Sequence, residues 1–242
     1  MWPICKKEFQ QFFSSLTGYI AIIVFLILTG LLLFVFPNGN ILEDGYATLE
    51  KFFQTAPLIL LFLVPAITMR SFADEFKQGT FEILQTKPLK LSQLVLGKYF
   101  GALLVVFIAI LPTVLYVWAI QSLAETKGID VGATIGSYIG LYLLAASFVA
   151  IGVFSSSITA NAVVGFILAA FLSFIWYGAF SAIASIPVFE AGADYYIEMF
   201  GIDFHYRSIS RGVVDTRDIV YFLTLIGAFA LLTIRNLEKR TA

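Results

Sequence analysis

The 242-residue chain is 60% hydrophobic and 13% charged, with a formal net charge of −1 and a mean hydropathy of +0.91. That balance excludes an ordinary soluble globular domain and marks an integral membrane protein. The near-zero charge with dispersed basic residues points to no nucleic-acid partner, and a single cysteine, Cys5, leaves no internal disulfide to form.

At the N-terminus, Trp2, Cys5, Phe9, Phe12, Phe13 and Leu16 fall at helical spacing, with Lys6, Lys7, Gln10, Gln11 and Ser14 opposite. This pattern predicts an amphipathic helix over about residues 2–16, lying in the membrane interface with its apolar face in lipid. A plain extension of the first span is the alternative. Cys5 is expected to serve packing.

A bilayer core of about 30 Å needs roughly 20 apolar residues per crossing helix. The charge-poor runs then give six spans, at about residues 18–36, 56–72, 99–122, 134–154, 162–185 and 219–235. The first is too long for a signal-peptide core and is expected to stay. The runs lack the alternation of barrel strands, so the fold class is all-α. Pro65 and Pro112 predict kinks in the second and third spans.

Gly136 and Gly140 begin a small-residue stripe continued by Ala145, Ala146 and Gly152, a face for close helix contact, internal or between subunits. Residues 155–161, uncharged and turn-rich, predict a tight hairpin between the fourth and fifth spans. Residues 186–218 mix aromatics with six acids and three arginines, which predicts short helices at the outer interface or a partly re-entrant hairpin. The only histidine, His205, has no second His or Cys beside it and reads as a polar-interface residue rather than a ligand.

Short cytoplasmic loops collect Lys and Arg. With the N-terminus inside, ten basic residues are cytoplasmic (Lys6, Lys7, Arg70, Lys77, Lys87, Lys90, Lys98, Arg235, Lys239, Arg240) and five lie outside (Lys51, Lys127, Arg207, Arg211, Arg217). Both termini are therefore expected in the cytoplasm.

The stretch from Arg70 to Lys98 is a polar island between two apolar runs. The second span is expected to continue as helix to Gln78 and stop at Gly79. Thr80 can cap a short helix with Glu82 near its positive end, Pro88 ends that helix, and Ser92 can cap the third span. A short helix held between two spans is suited to transmit rigid-body motion; an ordinary capped loop is the alternative.

The sequence Arg70-Ser71-Phe72-Ala73-Asp74-Glu75, followed by Gly79-Thr80-Phe81-Glu82, Pro88 and Gly97-Lys98, resembles the type-2 ABC transporter permease pattern. Six spans, an amphipathic N-terminal helix and a long outer segment fit that family over nearly the whole chain, as a single permease domain over residues 1–242. More narrowly, residues 65–72, 134–138 and 210–218 resemble the gliding-motility-associated permease subunits (GldF) of Bacteroidota.

The resemblance implies an inner-membrane permease subunit of an exporter or mechanotransmitter that binds no nucleotide itself. ATP and Mg would be bound by a partner ABC ATPase, and a second permease would complete a homo- or heterodimer. The helix in the coupling region, about residues 70–98, would dock in the ATPase, with Asp74, Glu75, Gly79, Thr80, Glu82 and Pro88 carrying the coupling. The N-terminal helix and the 155–161 turn would lie beside it.

The residues themselves agree that this chain is not the ATPase, because Gly97-Lys98 is followed by Tyr99 and lacks the first Gly of a Walker A loop. Two other classes stay open. A secondary transporter would use ionisable residues at mid-membrane, which the expected spans lack, or backbone carbonyl sites. A structural membrane anchor of a larger complex is the other. A membrane enzyme is disfavoured, since one His and one Cys leave the serines nothing to activate them.

Overall fold

Apolar residues on all sides of a helix leave it no stable place but a core or a bilayer, and the computed structural model arranges the chain accordingly. It describes residues 1–36, 41, 46–85, 90–124, 128–187 and 192–241. Among these the regular elements are all helical: α1 (Trp2–Phe13), α2 (Leu16–Phe34), α3 (Glu50–Thr68), α4 (Ala73–Lys77), α5 (Thr80–Gln85), α6 (Leu91–Ile110), α7 (Val114–Leu123), α8 (Val131–Ile158), α9 (Ala162–Phe174), α10 (Phe180–Ala184), α11 (Ala193–Glu198), α12 (Ile202–Ile209) and α13 (Thr216–Thr241). The protein is an all-α polytopic membrane protein.

Among the described residues, five helical stretches are long and apolar enough to cross a membrane, and α1 with α2, bent by 71° at their junction, makes up to a sixth. The centre is α8. Its apolar window is 78% buried, against 17% for the stretch containing α9, because α3, α6, α9, α12 and α13 all pack on it. The small-residue stripe explains this placement: a side chain at Gly140 would meet Ile209, one at Gly136 the backbone of Gly212, and one at Gly152 would meet Thr68. The stripe is thus internal.

The two prolines behave differently from one another, and one local expectation differs. Helix α3 runs unbroken through Pro57 and Pro65 and ends only at Thr68, whereas Pro112 does interrupt its span, as a 3₁₀ turn over Leu111–Thr113. Proline costs least where neighbours re-satisfy the freed carbonyls: Pro57 leaves the Phe53 carbonyl without its backbone donor, and the Tyr206 hydroxyl supplies one at 2.6 Å. Residues Ser155, Ser156 and Ser157 are not a turn: they are the buried last turn of α8, and the hairpin shrinks to Thr159–Asn161. Asn161 caps α9 through its side chain on Val163 N–H at 3.0 Å.

Helix α1 lies across the start of α6. Two glycines permit it: a side chain at Gly97 would collide with Ile4, and one at Gly101 with Glu8. The face carrying Ile4, Cys5 and Glu8 is therefore against protein rather than lipid, and Cys5 is buried in that contact. Trp2 remains exposed.

At the opposite end of the bundle, α11 and α12 form the short helices expected there. His205 is buried, against expectation. It spans the Asp218 carboxylate (Nδ1, 2.7 Å) and the Met199 carbonyl (Nε2, 2.9 Å) and stacks on Tyr221 at 3.9 Å. Tyr206 donates to the Phe53 carbonyl at 2.6 Å; burial pushes its phenol well above the usual range, so it stays a donor. The hydrogen-bonded Asp203 carboxylate holds the Arg207 guanidinium above its usual value.

Candidate functional site

The charged end of the bundle is organised by one lysine. Lys98 lies in the second turn of α6 and is 1% exposed. A lone buried ammonium costs several kcal/mol unless every donor is paired, and all three N–H groups of Lys98 have acceptors. They reach Glu8 Oε1 of α1 at 2.7 Å, Glu75 Oε1 of α4 at 2.9 Å, and the Ser71 carbonyl between α3 and α4. The exposed Lys7 adds a second cation to Glu75 at 3.3 Å. Two acids and two bases thus neutralise one another, and Lys98 also sits 4.9 Å from the centre of the Phe72 ring.

The break between α3 and α4 has its own support. Ser156 of α8 donates to the Met69 carbonyl at 3.0 Å and accepts from Phe72 N–H at 2.9 Å and Ala73 N–H at 3.2 Å. One hydroxyl therefore satisfies the backbone groups that the broken helix leaves free. The end of α8 is closed in turn by Asn236 of α13 on the Ser157 carbonyl at 2.8 Å and by Arg240 on that of Ile158. Cations suit a helix C-terminus, and Arg240 also covers the Phe76 ring at 4.3 Å.

From this base α4 and α5 form a hook. Gly79 turns the chain at φ +66°, a left-handed conformation that costs other residues roughly 1–2 kcal/mol. Phe81 folds back on Phe76 with ring centres 5.0 Å apart and is buried. Thr80 does not cap α5 as expected: it is its first residue, and its hydroxyl donates to the Glu75 carbonyl at 3.4 Å. Ser92 likewise is not a cap; Lys90 precedes α6, and its backbone N–H donates to the Gln93 side-chain oxygen at 3.3 Å.

Of the residues expected to carry coupling, Gly79 and Glu82 are exposed and Thr80 is half-buried at the tip of the hook. Asp74 is half-buried and lines a crevice against α1. Glu75 points inward to Lys98. Pro88 lies outside the described residues.

Sequence reasoning missed Glu8, Lys98 and Ser156. The signal for Glu8 was available, since it is the only acid of the N-terminal helix and shares a face with Ile4, Cys5 and Phe12 at helical spacing. Lys98 is committed to protein carboxylates, so Gly97-Lys98 is a helix-packing pair and not a phosphate loop. Among the described residues no cluster of three His, Cys, Asp or Glu side chains could hold a metal ion.

Comparison with protein families matches residues 43–200, about two thirds of the chain, to the family described as ABC-2 family transporter protein. The chain belongs to that family. An ABC-2 family protein is the transmembrane, non-ATPase subunit of an ABC transporter, which sets this chain in a membrane beside an ABC ATPase. The matched region contains α3 to α11, hence the hook and Lys98; α1, which supplies Glu8, precedes it. No curated protein matches the chain.

Proposed function

We propose that the hook formed by α4 and α5 is where this ABC-2 permease receives the ATPase's motion, and that the Lys98 cluster carries that motion into the bundle. The observation that supports the reading is the buried bonding of Lys98 to Glu8, Glu75 and Ser71, which joins α1, α4 and α6 at the root of an element whose tip is polar and exposed. Gly79, Thr80 and Glu82 form the contact surface, Asp74 and Glu75 act from within, and Pro88 is kept as a coupling residue on the family resemblance alone. A displacement of the tip then moves packed helices as rigid bodies.

In this reading the hook and both termini are cytoplasmic, the membrane is the bacterial inner membrane, and a second permease completes a dimer. The protein works as an exporter or mechanotransmitter, and its likeness to gliding-motility permeases favours a motility role. Glu82→Lys reverses a charge on the exposed tip without touching the buried cluster. In membranes that hold the full complex, it should lower ATP turnover several-fold with insertion unchanged; wild-type turnover and assembly would overturn the reading.

A further inference from the structure

The elbow between α1 and α2 encloses a crevice of about 430 Å³, closed on its third side by the end of α3. Its rim is polar, with Gln11, Ser14, Arg70 and Asp74, and its floor is apolar, with Phe12, Ile20 and Ala66. The floor continues as two exposed apolar stripes running away from the charged end: Ile23 and Ile27 follow Ile20 along α2, and Phe62 and Leu58 follow Ala66 at four-residue steps along α3. Such a shape fits a molecule with a polar head and two long apolar tails.

The rim identifies the head. Glu8, which also lines the crevice, is held by Lys98, but the side chains of Arg70 and Asp74 have no hydrogen-bond or ion-pair partner among the described residues. Four residues apart on one helix they would pair. The turn at Met69–Phe72 interrupts that helical register, and the cation and the anion both line the crevice.

A phosphate answers Arg70, and a primary ammonium, which has N–H donors to give, answers Asp74. From this charge complementarity we infer that the crevice is a binding site for a zwitterionic aminophospholipid, its phosphate on Arg70, its ammonium on Asp74 and its chains on the α2 and α3 stripes. The lipid wedges the elbow that carries Glu8 and so supports the angle at which α1 meets α6.

The test is native mass spectrometry of the full chain in detergent with an equimolar mixture of phosphatidylethanolamine, phosphatidylcholine and phosphatidylglycerol. Wild type should retain phosphatidylethanolamine about tenfold over phosphatidylglycerol, the size of one charge-assisted hydrogen bond. Asp74→Asn should erase that preference, and Arg70→Gln should lower retention of all three while Arg70→Lys keeps most of it. Neither side chain has a partner to lose among the described residues, so both variants should unfold at the wild-type midpoint. Equal retention of the three lipids by wild type, or variants that retain them as wild type does, would overturn the site.

Discussion

Lys98 concentrates the energetics of the charged end in one side chain. Removing one partner of a buried ion pair costs about 3–5 kcal/mol because the other charges stay buried. Lys98→Met keeps the length and should lower the thermal unfolding midpoint of the purified chain accordingly. Adding Glu8→Gln and Glu75→Gln should recover most of the loss, since neutral amides no longer need the ammonium; no recovery would mean that the residue acts by packing alone. These contacts were not legible beforehand because the partners lie 90 and 23 residues apart. Composition announces a charge, but only the fold supplies its counter-ion. The same holds for Ser156, whose acceptor and donors are more than 80 residues away.

Whole helices were more legible than their joints. The five long apolar stretches, and α2 of the bent pair, fall close to the expected spans because a bilayer imposes length and hydropathy directly. Gly79 was read as a stop from residue type alone, and its positive φ supplies the reason. The break at Met69–Phe72 was not foreseen: nothing in Met-Arg-Ser-Phe breaks a helix, and it is Ser156 of a distant helix that stabilises the broken form. The hook depends on the Gly79 turn and the Phe81 anchor. Gly79→Ala should therefore cost roughly 1–2 kcal/mol and speed amide hydrogen exchange through α5 while leaving α8 protected; unchanged exchange in α5 would show that the hook does not rely on that turn.

At the scale of the molecule, α8 is a buried post with α3, α6, α9, α12 and α13 around it, a charged hook at one end and the α11–α12 cap at the other. The ten-to-five division of basic residues supports the proposed orientation, with the hook inside and the α11–α12 cap outside. A cysteine placed at Asn40 should label from outside in whole cells and one at Gln85 should not, with buried Cys5 giving little background. The reverse pattern would invert the proposed orientation.

The central claim is that the hook touches the ATPase. A photo-crosslinking amino acid placed at Glu82, in cells making the full complex, tests it most directly. The account predicts a crosslink from position 82 to the ATPase and none from the same group at Tyr196, exposed on α11 at the opposite end. A crosslink from 196 and none from 82 would contradict it.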